Sequence, residues 1–285
     1  MVTLDTIEGL GTRWWFELFD CNEARRDEVA ARLNAEIDAF EQAYTRFSSQ
    51  SYIGRLNQGE TITTPPTELI DLLRIGLDWY TSSHGHFNFL SGHLQEAQGY
   101  GGNSETDGIV RSTETLDPHD HLHISPKEVT LTVGKLDLGG FGKGFLIDKL
   151  SRLLQTELDC NEFLINGGGD MYATDHAGAP VEIYAEHPTK PGQFIAKIPL
   201  KNRAFAASST YKRRWRSADG TVRTHLLGTT DAASFTVSDD ACTADILATL
   251  ACIDHTQAER FPATSYLIMS DATTMSADFR QWLLR

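Results

Sequence analysis

Asp245 and Thr249 stand four residues apart in Thr243-Ala-Asp245-Ile-Leu-Ala-Thr249, so on a helix their oxygens share one face. A carboxylate and a hydroxyl are hard-oxygen ligands, which Mg²⁺ accepts while keeping waters and substrate phosphates. Taken alone, the same residues also suit an ordinary helix start. Thr243 would be the N-cap, Asp245 would sit in the first turn, and Thr249 would bond back to its own backbone. A second segment, Asp137-Leu-Gly-Gly140-Phe-Gly142-Lys143-Gly144, falls between an expected strand and an expected helix. Small residues there expose amides at a helix N-terminus, where a phosphate can sit, and Lys143 adds positive charge. Gly144 stands where a P-loop needs Ser or Thr, and the spacing is GxGxG rather than GxGxxG. By itself the segment reads as a tight strand-to-helix turn.

Asn166-Gly167-Gly168-Gly169-Asp170 follows the apolar Phe163-Leu164-Ile165. Its glycines admit a close backbone or a flat ligand, or supply a positive-φ turn. A dinucleotide fingerprint fails because position 172 is Tyr. Among the histidines, His225 lies in the apolar stretch Thr224-His225-Leu226-Leu227. A lone His in a strand is ordinarily structural, yet His is also the commonest general base. His119, His121 and His123 alternate beside Asp117 and Asp120. They would suit Zn²⁺ only on one face of an extended strand, and a solvated polar segment is the expected reading.

The elements that must position these groups follow from hydrophobic spacing. Residues 11–19 read as an opening strand. A helix is expected from about Asn22 to Tyr44, with Val29, Leu33, Ile37, Phe40 and Tyr44 on one face. A second helix starts after Thr64-Pro65-Pro66 and carries Leu69, Leu72, Leu73, Leu77 and Tyr80 as a stripe. Residues 98–121, rich in Gly, Asp, Ser and Thr, read as a long loop or insertion. Val129–Val133 and Lys135–Leu138 are expected to form a strand pair with a turn near Gly134. A helix from about Lys143 to Leu158 follows, then strands at 163–166, 181–186, 194–200, 203–208 and 221–227. A short helix over Thr243–Cys252 precedes a closing strand at 265–269. Strands mostly adjoin strands, which favours an α+β fold with antiparallel sheets and packed helices over a doubly wound sheet.

The chain has 285 residues, 25 Lys+Arg and 39 Asp+Glu, for a formal charge of −14. That balance argues against a nucleic-acid surface, which needs clustered basic residues. An anionic small molecule would need a metal or backbone amides to meet its charge. No stretch has the length of apolar sequence that stable membrane insertion requires. The N-terminus, MVTLDTIEGL, does not read as a signal peptide, and the four cysteines, with no CxxC pair, are expected to be reduced thiols. A cytoplasmic protein is expected.

In order along the chain, these pieces resemble the ApbE family, the FAD:protein FMN transferases. The resemblance covers nearly the whole chain. It begins at Gly11-Thr12 and continues through Phe47-Ser-Ser-Gln-Ser51-Tyr-Ile53-Gly-Arg55-Leu56-Asn57, similar to the family's dSxIsrLN. Gly85-His86-Phe87-Asn88 is similar to its GxFD, and residues 136–150, LDLGGFGKGFLIDKL, to its DlGgiaKGyavD. LINGGGD at 164–170, AASSTYKR at 206–213, His225, and the Asp245–Thr249 segment complete the series. The resemblance implies one ApbE-like α+β domain over 1–285, with FAD held between the two halves of the chain near residue 140. It implies an Mg²⁺-dependent cleavage of FAD that attaches FMN to a threonine of an acceptor protein and releases AMP. Gly140, through its carbonyl, Asp245 and Thr249 would be the metal ligands. His225 would be the catalytic base. Ser48, His86, Phe87, Asn88, Asp137, Lys143 and Leu227 would contact FAD.

The chain departs from the pattern at three places. Gly228 and Thr229 stand where the family has Asp-Pro after the His, Asn88 replaces an Asp, and Ser208-Ser209 replaces Ser-Gly. The first departure lies beside the implied base and bears on transfer more than on binding. Two alternatives to the transferase therefore stand beside it: an Mg²⁺-dependent FAD pyrophosphatase giving FMN and AMP, and a non-catalytic flavin-binding protein.

Overall fold

The computed structural model describes residues 1–99, 114–211, 214–216, 220–224, 226–227, 232–261, 264–270 and 273–284. The chain packs as two compact units. Unit 1 comprises residues 1–38, 141–213 and 228–285, and unit 2 comprises residues 39–140 and 214–227. The architecture is α+β with antiparallel sheets, as the adjacency of strands in the sequence predicts.

Unit 1 is built on an eight-stranded sheet whose spatial order is its chain order. The strands are β1 (Val2–Gly9), β2 (Thr12–Leu18), β3 (Phe163–Gly167), β4 (Asp170–Ala173), β5 (Arg203–Ser209), β6 (Ala233–Ser238), β7 (Ser265–Met269) and β8 (Thr273–Met275). Every neighbouring pair is antiparallel. The expected opening strand is β2: Trp14, Phe16 and Leu18 point inward and are fully buried, while Trp15 on the other face is 40% exposed. A smaller antiparallel sheet pairs Phe194–Leu200 with Ala179–Glu186, and the latter with Asp175–His176. Its Ile183, Ala185, Ala196, Ile198 and Leu200 share one core with Phe205, Phe235, Val237 and Leu267 of the large sheet.

Strand β6 was not anticipated, although it lies between β5 and β7 and is buried along its whole length. Ala233, Phe235 and Val237 enter the core shared with the small sheet. The alternate residues are hydroxylic and face a helix. Ser234 Oγ donates to the Ala248 carbonyl, and Thr236 Oγ1 to that of Ala244 at 2.7 Å. Hydroxyls are tolerated there because helix carbonyls satisfy them. Strands β1, β4 and β8 of the same sheet were also missed, as were the short strands Ile62–Thr63, Leu122–Ile124, Asp175–His176 and Arg214–Arg216. The stretch 265–269 does not close the chain, since β8 and the helix Ala277–Trp282 follow it.

The helix expected over 22–44 is a 3₁₀ turn, Glu23–Arg25, running into α1 (Arg26–Tyr44). Val29, Leu33, Ile37, Phe40 and Tyr44 are all buried. The helices α2 (Gly142–Thr156) and α3 (Ala241–Ile253) pack against each other and on strands of the large sheet. Apart from Thr243, every residue of α3 from Ala241 to Cys252 is buried, consistent with its almost continuous run of apolar and small residues.

Unit 2 carries the helices Tyr52–Asn57, Thr67–Ser82 and Gly92–Ala97, with Leu69, Leu72 and Leu73 of the second buried. Its three-stranded sheet has Glu128–Leu131 between Ile62–Thr63 and Leu122–Ile124. The expected pairing of 129–133 with 135–138 is corrected, because 135–138 is not a strand. Its backbone is held by other segments. Leu136 N donates to Asn57 Oδ1 at 2.7 Å, Asp137 N to Phe89 O at 2.8 Å, and Lys135 O accepts from Gly92 N at 2.9 Å. Pro118–His121 is a helical turn rather than extended, and only His123 of the three histidines lies on a strand. His119 meets Thr81 Oγ1 at 2.9 Å and His121 meets Thr132 Oγ1 at 3.2 Å, so the three imidazoles do not share a face. Much of the expected loop over 98–121 lies outside the described residues. Of the expected strand over 221–227, Val222–Thr224 is a strand paired with Arg214–Arg216, and His225 lies outside the described residues.

Candidate functional site

In unit 1 the N-terminal turns of α2 and α3 meet at closest range. A Cβ at Gly144 would stand 2.3 Å from the Ala241 carbonyl oxygen and 2.8 Å from Cys242 Cα, so only glycine fits. Four residues on, Asp148 accepts from Ala241 N at 2.8 Å and Cys242 N at 2.9 Å. Those are the first two amides of α3, which have no partner inside the helix. Asp240, with extended backbone, accepts from Thr243 N at 2.7 Å. This corrects the expected cap: Asp240 is the N-cap rather than Thr243, and Asp245 lies past the first turn of α3.

Released from capping, Asp245 turns to α2. Its Oδ2 accepts from Gly144 N at 3.1 Å and lies 3.3 Å from Lys143 Nζ. Lys143 Nζ in turn lies 2.5 Å from Asp170 Oδ2. Asp170 opens β4 immediately after a two-residue hairpin loop. Gly168 and Gly169 have φ of +71° and +104° there, positive at both central positions as tight hairpins of this hand require. The NGGGD segment is thus a positive-φ turn, and what it delivers to the site is a carboxylate. Asp170 Oδ1 accepts from Ala207 N of β5 at 3.2 Å.

Burial is the largest influence on Asp245 and raises its pKa, with Asp170 adding repulsion and Lys143 and the Gly144 amide opposing. For Lys143, burial works against the charge, but the attraction of Asp170 and Asp245 outweighs it and the pKa is raised. Two buried carboxylates against one ammonium, itself 23% exposed, leave a net charge of −1 in the cluster.

Thr249 lies one turn beyond Asp245 on α3, and both are buried. Thr249 Oγ1 does not bond back to the helix, and among the described residues it has no hydrogen-bond partner; neither does Asp245 Oδ1. No cluster of three or more His, Cys, Asp or Glu side chains suited to a metal occurs among the described residues. A hard cation that takes one carboxylate, one hydroxyl and substrate phosphates does not need such a cluster. The two free oxygens and the net negative charge beside them fit Mg²⁺.

The remaining candidates lie in unit 2, apart from His225, which lies outside the described residues. Asp137 accepts from Gly139 N at 2.7 Å and pairs with Arg46 Nε at 3.3 Å. Arg46, its side chain 4% exposed, also pairs with Glu96 at 3.2 Å, and Glu96 with Lys135 at 2.6 Å. The Arg46 pairing brings the loop that holds Ser48 to Asp137. Sequence reasoning passed over Arg46, which no motif marks. Ser48 Oγ accepts from Gln50 N at 3.2 Å. His86 is exposed, Phe87 is buried, and Gly140 and Leu227 are half-buried. Asn88 is committed to its own loop: Nδ2 donates to Leu116 O and Oδ1 accepts from Leu90 N, both at 2.9 Å.

The sequence profile of the ApbE family matches residues 10–265. A protein named FAD:protein FMN transferase from Klebsiella pneumoniae is 22% identical over 195 residues, covering 63% of this chain and 55% of that protein. One of the same name from Escherichia coli is 21% identical over 196 residues, with the same coverage of 63% and 55%. The chain spans about half the length of the curated relatives it matches. Among solved structures, the ApbE protein of Thermotoga maritima shares the fold at a TM-score of 0.81 and 21% identity, over 99% of both chains. The flavin transferase ApbE of Vibrio cholerae does so at 0.81 and 18%, again over 99% of both chains. Matched by the family profile over most of its length, the chain belongs to the ApbE family.

Proposed function

We propose that this chain transfers FMN from FAD to a threonine hydroxyl of an acceptor protein and releases AMP, with Mg²⁺ held by Asp245 and Thr249. The observation that carries this reading is the pair of unpartnered oxygens, Asp245 Oδ1 and Thr249 Oγ1, beside the Lys143 ammonium. The names of the relatives support the choice of FAD and of FMN transfer. When bound, Mg²⁺ supplies neutralisation of the pyrophosphate charge. Lys143 offers a positive charge to the same phosphates. His225 takes the proton of the acceptor hydroxyl as its oxygen bonds to the FMN phosphorus. The bond from that phosphorus to the bridging oxygen breaks, and AMP leaves with the electron pair. Asp137, held by Arg46 and Gly139, contacts FAD together with the Ser48 loop, the 86–88 segment and Leu227.

No helix among the described residues is long and apolar enough to cross a membrane. The four cysteines are unpaired, which supports a cytoplasmic setting.

The test is incubation with FAD and Mg²⁺, with and without a threonine-bearing acceptor, read by mass spectrometry. An acceptor that gains the mass of FMN, with the gain lost in His225→Ala and Asp245→Ala, is the expected result. Gly228-Thr229 beside His225 favours a second reading, in which water replaces the acceptor hydroxyl. Release of FMN and AMP at the same rate without acceptor would select it. FAD bound but intact in every condition would leave a flavin-binding protein.

A further inference from the structure

Asp170 is the member of the buried cluster to which the proposed function gives no part. It is 2% exposed, and both of its oxygens are engaged. Oδ1 accepts from the Ala207 amide at 3.2 Å, which fixes the carboxylate to the sheet, and Oδ2 lies 2.5 Å from Lys143 Nζ. The same ammonium lies 3.3 Å from Asp245 Oδ2. Lys143 is therefore shared unequally, with its shorter contact to the acid that has no proposed ligand role.

A divalent cation on Asp245 Oδ1 and Thr249 Oγ1 would meet this ammonium across a single carboxylate. The two positive charges repel, and with both carboxylates buried and the ammonium only 23% exposed, water screens them less than in bulk. Lys143 must then yield Asp245 or exclude the cation. Yielding requires a second fixed anion within reach, and Asp170 is that anion. We infer that Asp170 is a positioning residue: it anchors the Lys143 ammonium so that Asp245 can exchange it for a divalent cation. Without the charge on Asp170, Lys143 has Asp245 as its remaining carboxylate in the cluster and competes with the metal for it. This inference rests on the reading of Asp245 and Thr249 as metal ligands.

The test uses Mn²⁺ alone, without FAD, with the free-ion electron paramagnetic resonance signal reporting binding. Wild-type binding that is lost in Asp245→Asn upholds the ligand reading. Its absence in wild type, or its persistence in Asp245→Asn, would remove that reading and this inference with it. Asp170→Asn keeps an oxygen for the Ala207 amide but loses the charge, and its Mn²⁺ affinity is expected to fall about tenfold. The deciding measurement repeats that substitution in a Lys143→Gln background. With no ammonium to hold, Asp170→Asn is expected to change affinity less than about twofold there. A tenfold loss that persists in that background overturns the inference, because Asp170 would then act on the metal directly as a charge. Unchanged affinity in the single Asp170→Asn variant overturns it as well. If Asp170→Asn does not fold, Lys143→Gln decides alone: binding at least as tight as wild type is expected, and weaker binding refutes the competition.

Discussion

The amide of Gly144 donates to Asp245 Oδ2 at 3.1 Å, so the first turn of α2 holds the carboxylate that α3 brings to the site. The bond is possible only because the two helices touch where residue 144 has no side chain. Gly144→Ala places a methyl group 2.3 Å from the Ala241 carbonyl oxygen and 2.8 Å from Cys242 Cα, and neither backbone atom can rotate away. The substitution is expected to destabilise the fold by about 3 kcal/mol or more, as overpacking against backbone does. Urea unfolding followed by circular dichroism measures this. A midpoint within error of wild type would show that the helices separate freely, and would remove the steric explanation for the KG pair.

Asp148 sits one turn further along α2 and predicts a pH effect. Burial pushes it up to about 6, against the pull of the Ala241 and Cys242 amides, from an ordinary value of 3.8. Between those two values the folded chain holds a proton that the unfolded chain has released. The contribution of Asp148 to stability is therefore greatest below the lower value and is lost as pH rises through the upper one. Asn at this position does not titrate. The stability of wild type relative to Asp148→Asn should fall by roughly 3 kcal/mol between about pH 4 and pH 7, the size of a two-unit shift. Paired denaturation curves at several pH values test this, and a difference that stays flat or grows with pH counts against it.

Arg46 gives a prediction confined to unit 2. Its side chain is 4% exposed and it bridges Glu96 at 3.2 Å and Asp137 at 3.3 Å. Arg46→Met leaves Asp137, its side chain 12% exposed, without its cation, whereas Glu96 keeps Lys135. Breaking a buried pair from one side costs about 3 kcal/mol or more. Arg46→Lys should recover little of it, because an ammonium cannot reproduce the forked geometry. Thermal unfolding of the two variants distinguishes this from simple loss of charge: full recovery by Lys would mean that the fork is irrelevant.

What the sequence made legible follows the range of the interactions. The placement of Asp245 and Thr249 one turn apart on a helix is a local property of spacing, and it was readable. The α+β class was readable as well, because strands follow strands. The Lys143 contact to Asp170 joins residues 27 apart, and the Asp148 cap reaches amides 93 residues away. Nothing local in either carboxylate announces its partner. Strand β6 escaped because ASFTVS shows hydroxyls where a strand buried on both faces is expected to be apolar. Only the α3 carbonyls that receive Ser234 and Thr236 explain them. Lys135–Leu138 failed in the opposite sense. Its sequence alternates like a strand, but Asn57, Phe89 and Gly92 take up its backbone groups before another strand can.

Thr249 separates the two readings of its own helix. If its hydroxyl only helped α3 to fold, Val would be nearly as good, since Thr249 is buried and Oγ1 has no hydrogen-bond partner among the described residues. If Oγ1 is a metal ligand, Thr249→Val should keep wild-type stability while raising the Mg²⁺ concentration needed for the proposed FMN transfer by at least about tenfold. Thr249→Ser restores the oxygen without the methyl group and should return the Mg²⁺ requirement toward wild type, at a small loss in packing. Transfer measured across a Mg²⁺ titration, with unfolding curves on the same preparations, separates these effects. If Thr249→Val showed an unchanged Mg²⁺ requirement, the hydroxyl would be no ligand, and Asp245 would have to hold the cation with water and substrate alone.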